Sequence, residues 1–242
     1  MMPPAPAARC DLRHKAAESS RCRQRRIGSL LPLLGVLLGV LLATPVAAAP
    51  AASGGTGFFL GGGRVATAAH VVAHCATISV APEGGPVMPA AIVARDPALD
   101  LAVLEVAATA AARPLLSGEV AVGAALTAWG YPHASGRGPL HALPLTAVEL
   151  PVPRPPDRMP MRGAVAAGGM SGAPLLDRQG RVAGMLLGRG DPAAPGAADL
   201  ARALGFPVAE IAIALPARWL PAPDPGARPG AVVVARVVCR SG

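Results

Sequence analysis

Three residues in chain order, His70, Asp100 and Ser171, supply a base, a carboxylate and a hydroxyl nucleophile. A serine hydroxyl is a poor nucleophile at neutral pH. It attacks when an imidazole takes its proton and a carboxylate fixes the imidazole's tautomer. Ser171 stands in the run Gly168-Gly169-Met170-Ser171-Gly172-Ala173-Pro174. Backbone N–H groups must face the developing oxyanion, and glycine permits the tight loop that aims them. The N–H groups of Gly169 and Ser171 are the expected pair, and the chemistry within reach is acyl transfer to serine and then to water.

Two rival readings are weaker. An α/β-hydrolase elbow wants glycine two residues after the serine, where Ala173 stands, and it places the acid and the histidine after the nucleophile. His70, His74 and Cys75 invite a metal reading, since residues four apart share a helix face. No His-Glu motif or further ligand cluster joins them, so no metal and no other cofactor is expected.

The surrounding residues fall into three blocks. The first is Gly55-Thr56-Gly57-Phe58-Phe59-Leu60 with Val65-Ala66-Thr67-Ala68-Ala69-His70-Val71-Val72, and the second is Asp96-Pro97-Ala98-Leu99-Asp100-Leu101-Ala102-Val103-Leu104. The third is Gly169-Met170-Ser171-Gly172-Ala173-Pro174-Leu175 with Gly180-Arg181-Val182-Ala183-Gly184-Met185. In this order, with 30 residues from His70 to Asp100 and 71 from there to Ser171, they resemble the chymotrypsin-like (trypsin-like) serine proteases. The bacterial HtrA/DegP-type branch is the most similar, over roughly residues 53 to 220.

The resemblance implies a triad of His70, Asp100 and Ser171, with Asp100 and not Asp96 as its acid, and an oxyanion hole at Gly169 and Ser171. It puts Val165, Ala166 and Ala167 at the floor of the primary specificity pocket, with Leu186, Gly188 and Arg189 as further substrate-binding positions. An apolar floor cannot pair a lysine or arginine, so a small or aliphatic residue before the scissile bond is expected. Arg189 at the rim leaves open an acidic group instead. Two positions depart from the family. Met170 replaces the Asp that precedes the nucleophile in trypsin-type zymogens, and Leu187 stands about where relatives carry a serine bonded to the triad carboxylate.

The elements expected to hold these residues are all-β: two six-stranded antiparallel Greek-key barrels with a short C-terminal helix. Residues 56–60, 64–67, 76–80, 90–94 and 101–106 read as strands of the first barrel, parted by glycine and proline turns. An alanine-rich connection over 107–118 leads to the second, with strands at 124–129, 142–150, 163–166, 174–176, 182–187 and 206–208. Residues 209–220 are apolar enough for a closing helix, and 231–238 read as an added strand or as a tail. The protease domain is thus expected over 50–220 and a C-terminal tail over 221–242, which is too short for the PDZ domain of many relatives.

Residues 1–49 read as an export leader. Arg21, Arg23, Arg25 and Arg26 precede an apolar run over 30–43, and the small residues of 44–49 suit signal peptidase. The apolar run holds about 14 residues, short of the roughly 20 of a membrane span. Cleavage near Ala49 and a secreted or periplasmic domain is the expectation; a retained anchor through residues 30–49, or a twin-arginine route through Arg25-Arg26, is the alternative.

The 242-residue chain carries +8, but residues 1–49 hold 7 basic and 2 acidic residues, leaving +3 beyond them. With no basic patch interleaved with aromatics, nucleic-acid binding is not expected. Aromatic residues make up only 2 %, so the core must be built from Ala, Val and Leu. Cys75 and Cys239 lie beyond the leader and could pair in an oxidising compartment or stand as two thiols. Cys75 follows the catalytic-histidine segment, where trypsin-type relatives often carry a bridge.

The combined reading is an exported serine endopeptidase acting on protein or peptide substrates, with the oligomeric state left open. A catalytically weak peptide-binding protein of the same fold, and an esterase using the same triad, are the alternatives.

Overall fold

The computed structural model describes residues 52–242 apart from 108–111, 134–137, 154 and 165. The expected leader over 1–49, with its cleavage or anchoring, and Val165 lie outside the described residues. In chain order the strands are β1 (Ala52–Gly61), β2 (Arg64–Ala68), β3 (Thr77–Pro82), β4 (Met88–Asp96), β5 (Leu101–Val106) and β6 (Ala125–Gly130). They continue as β7 (His141–Ala147), β8 (Met159–Gly163), β9 (Pro174–Leu176), β10 (Val182–Arg189), β11 (Ile211–Pro216) and β12 (Val234–Arg240). Among the described residues there is one α-helix, α1 (Ala197–Leu204), between β10 and β11.

These strands close two antiparallel barrels, in the orders β1-β12-β3-β4-β5-β2 and β10-β11-β8-β7-β6-β9. The expected fold class holds. Closure leaves no unpaired sheet edge, which would otherwise have to be shielded. The first core gathers Phe58, Phe59, Leu60, Val65, Val80 and Leu104, and the second Leu126, Leu145, Met161, Leu175 and Leu186. Full burial of each large apolar side chain contributes about 1.5–3 kcal/mol. Met185, Leu187 and Leu215 of the second barrel join the first barrel's cluster, so the junction between barrels is itself apolar core.

Four expectations are corrected. The segment 209–220 is not a closing helix: β11 runs through it and ends at Pro216, followed by a 3-10 turn at Ala217–Trp219. Ile211-Ala-Ile-Ala-Leu is apolar throughout, which suits a short buried strand as well as a helix, and β11 is held on both sides, by β10 and by β8. The short helix precedes that strand. The strand expected at 206–208 is replaced by β11, while Phe206 lies under the Arg162 guanidinium, 4.0 Å away.

The strand expected at 163–166 runs earlier, over 159–163, because Pro160 does not bar it: the β7 ladder pairs only Met161, Arg162 and Gly163. Finally, 221–242 is not only a tail: of the two readings of 231–238 the added strand holds, as β12, which completes the first barrel between β1 and β3. Cys239 on β12 is bonded to Cys75, tying that strand to the chain just after His70. Cys75 is therefore no free thiolate for a metal.

Candidate active site

β2 delivers the chain into a short 3-10 turn, Ala69–Val72, with Ala69, Val71 and Val72 buried and His70 turned outward. β5 is preceded by the loop that carries Asp100. The two segments are clamped at three points. Ala69 N donates to the Asp100 carbonyl at 3.0 Å, His70 N to Asp100 Oδ1 at 2.9 Å, and His70 Nδ1 lies 2.7 Å from Asp100 Oδ2. A carboxylate only accepts, so Nδ1 carries the proton and Nε2 keeps its lone pair. The imidazole is half exposed, at 52 %.

Asp100 adopts φ 55°, a left-handed conformation that aspartate tolerates better than most residues. Asp96 prepares the loop: its Oδ1 accepts from Ala98 N at 2.9 Å and Leu99 N at 3.0 Å. Burial pushes the Asp100 carboxyl up. The bonds from the His70 side chain and backbone, with the charges of His70 and Arg158, overcome this and hold it below the usual carboxylate range.

Ser171 lies on the loop between β8 and β9, half-buried against the first barrel. Its carbonyl accepts from Thr56 N at 2.8 Å. Thr56 Oγ1 donates to the Gly169 carbonyl at 2.8 Å and accepts from Tyr131 N at 3.0 Å, while Thr67 Oγ1 donates to the Thr56 carbonyl at 2.7 Å. Both threonines are fully buried, so each bond replaces a lost water contact. Gly172 fits into this lattice at φ 88°, where a Cβ would lie 2.0 Å from the Thr56 carbonyl oxygen. On the other side Gly172 N donates to the Leu186 carbonyl at 2.7 Å and Leu186 N to that of Ala173 at 2.8 Å.

The same loop sets two peptide planes. The Gly168 carbonyl accepts from His133 N at 2.5 Å and the Met170 carbonyl from Ala173 N at 3.0 Å. In a trans peptide the N–H opposes the C=O, so the N–H groups of Gly169 and Ser171 point away from those partners. Met170 N and Gly172 N find acceptors in Ala167 and Leu186; among the described residues, Gly169 N and Ser171 N donate to none. Backbone donors beside a hydroxyl are what a tetrahedral oxyanion requires.

The remaining expected positions divide. Leu186 is fully buried in the second core and Ala166 nearly so. They support the serine loop from within. Ala167 is half-buried and takes the Met170 N–H, Gly188 is half-buried and Arg189 exposed at the end of β10. Leu187 packs into the first core and offers Asp100 no hydrogen bond.

Sequence reasoning gave no role to Thr56, Thr67 or His133. The threonines stood inside the quoted blocks, but a buried hydroxyl linking two barrels leaves no signature in one strand's pattern.

Residues 55–185 match the family described as trypsin-like peptidase domain. Among solved structures, the chain is similar to the active form of the Rv3671c protease from M. tuberculosis, with 29 % identity, a TM-score of 0.54, and coverage of 68 % of this chain and 69 % of that one. A serine endoprotease from Yersinia pestis shares the fold, at 20 % identity and a TM-score of 0.53, over 69 % of this chain and 59 % of that one. An uncharacterized protein, y4bJ, of Sinorhizobium fredii (strain NBRC 101917 / NGR234) is 34 % identical over 144 residues, 58 % of this chain. That match spans only 23 % of the relative's length.

Proposed function

Because this chain belongs to the trypsin-like peptidase family, and so is a serine protease by family, we propose that it is an exported endopeptidase working through His70, Asp100 and Ser171. In this reading Nε2 of His70 takes the Ser171 proton as Oγ attacks the scissile carbonyl. The oxyanion is stabilised by the N–H groups of Gly169 and Ser171. His70 then passes its proton to the leaving amine, the C–N bond breaks, and an acyl-enzyme remains on Ser171. Water, deprotonated by His70, attacks that ester, and the acid product departs with the serine restored.

The observation that carries the reading is the double contact of Asp100 with His70, which fixes the tautomer leaving Nε2 available. The N–H groups of Gly169 and Ser171, which donate to none of the described residues, support it. A preference for a small or aliphatic residue before the scissile bond rests on Val165, Ala166 and Ala167, none of which can pair a cation. Export rests on the leader reading, and the Cys75–Cys239 bridge is of the kind an oxidising compartment maintains.

The test is labelling with a fluorophosphonate probe, read by intact mass, on wild type, Ser171→Ala and His70→Ala. One adduct on wild type and none on either variant is expected, followed by aliphatic selectivity in a peptide library. An unlabelled, folded wild type would remove the enzyme reading in favour of peptide capture. Cleavage of esters without peptides would leave an esterase.

A further inference from the structure

The loop that presents Asp100 belongs to the first barrel, yet it is gripped from the second. Arg158, one residue before β8, donates from Nη2 to the Ala98 carbonyl at 2.9 Å, two residues from Asp100. Its Nη1 bonds the Asp157 carboxylate and, at 3.2 Å, the Asp157 carbonyl, so the guanidinium is fixed on both sides. The turn beneath it is fixed too: Arg158 N donates to the Pro155 carbonyl at 3.0 Å, and Arg218 Nη2 to that of Pro156 at 2.6 Å. A planar fork of this kind holds two acceptors in a set relation, which a single ammonium cannot do as well.

Asp100 has need of such a grip. Its left-handed φ persists only where the surroundings enforce it. Leu187, buried in the first core, brings no hydroxyl to the carboxylate. The Asp96 side chain orders the loop locally, but within the same barrel.

We propose that Arg158 is a positioning residue for Asp100, fixing the acid-bearing loop across the barrel junction so that both carboxylate oxygens meet His70. The role rests on Asp100 being the orienting acid. Burial opposes ionisation of that acid, and the Arg158 charge is one of the influences that overcome it.

The experiment compares wild type, Arg158→Ala and Arg158→Lys, each with and without Asp100→Asn, by hydrolysis of a p-nitrophenyl ester of a short aliphatic acid. The His70 Nδ1–H resonance is followed by proton NMR. Arg158→Ala is expected to lower kcat about tenfold, as a slight misplacement of a catalytic group does, with KM held within about twofold. Arg158→Lys, which keeps the charge but loses the planar fork, recovers only part of the loss. In the Asp100→Asn background the loss disappears, since no carboxylate is left to position. The Nδ1–H signal broadens in Arg158→Ala and sharpens only in part in Arg158→Lys.

Unchanged kcat with an unchanged signal overturns the proposal. So does an equal loss in both backgrounds, which would set Arg158 against the substrate. A wild type that hydrolyses nothing defeats the activity assignment instead, while the NMR comparison still decides whether Arg158 holds Asp100. Should Arg158→Ala fail to fold, Arg158→Gln takes its place in every arm.

Discussion

Replacing Gly172 by alanine should displace the nucleophile, and Gly180 provides the control. Both glycines lie at positive φ, 88° and 74°. A Cβ at Gly180 meets nothing within 4 Å; one at Gly172 falls 2.0 Å from the Thr56 carbonyl oxygen, 2.7 Å from Thr67 Oγ1 and 3.1 Å from Ala68 N. The left-handed conformation costs alanine about 1–2 kcal/mol, offset by about 0.4–1 kcal/mol from a less free unfolded chain. Gly180→Ala should therefore lose about 1 kcal/mol.

Gly172→Ala adds overpacking worth about 1–3 kcal/mol. The nearest atoms are backbone, so relief requires the loop to withdraw by roughly 1 Å, weakening bonds of about 1 kcal/mol each at Thr56 N and the Leu186 carbonyl. The total is about 3–5 kcal/mol, a large part of the roughly 5–15 kcal/mol that stabilises a domain. Urea unfolding measures the first quantity, and the rate of fluorophosphonate labelling reads the second consequence, a fall of about 10²-fold for a nucleophile out by that distance. If Gly172→Ala loses no more stability than Gly180→Ala and labels as fast as wild type, the interlock of Thr56, Thr67 and Gly172 does not hold Ser171.

Other outcomes follow from the same geometry. Asp100→Asn should lower kcat by about 10⁴-fold, because an amide no longer selects the Nδ1–H tautomer; a loss of tenfold or less would remove Asp100 from the orienting role. The Asp100 carboxyl is held below its usual 3.8 in the folded protein, so its contribution to stability is present above that value and is lost as pH falls through the folded-state pKa. The gap in unfolding free energy between wild type and Asp100→Asn should accordingly shrink below about pH 4, and a constant gap would contradict the shift. Cys75 and Cys239 are separated by 164 residues, so a bridge between them is worth up to about 5 kcal/mol by restricting the unfolded chain. Cys239→Ser should lower the urea midpoint with no further loss on adding reductant; a change under about 1 kcal/mol would show that the bridge constrains little.

The proposed triad positions could be picked out because they sit inside runs whose neighbours have strict local duties: a strand before His70, a glycine on each side of Met170-Ser171, an apolar strand after Asp100. β1, β2 and β5 were legible for the same reason, their buried residues being consecutive in sequence. β12 was legible only as one of two alternatives, an added strand or a tail, and β11 was read as a helix, since a short apolar run has no period strong enough to separate the two and what makes it a strand is the neighbour on each side. Leu186 illustrates a different limit. A position near the substrate in chain terms can turn its side chain into the core and contribute only backbone, and nothing in the residue type says which. The grip of Arg158 on Ala98 crosses 60 residues and two barrels, a distance over which an arginine before a strand looks like any solvated charge.

The placement of β12 has a consequence for how the protein comes into being. The barrel that carries His70 and Asp100 takes five of its strands from the first half of the chain and its sixth from Val234–Arg240, beyond the whole second barrel. The pairing of β12 with β1 and β3 is thus a contact of long sequence separation, whose loop-closure entropy has to be met before the barrel is complete. The wall in which His70 and Asp100 stand is therefore completed from far along the chain, and loss of the β12 pairing would loosen the barrel of the proposed base and acid before that of the proposed nucleophile.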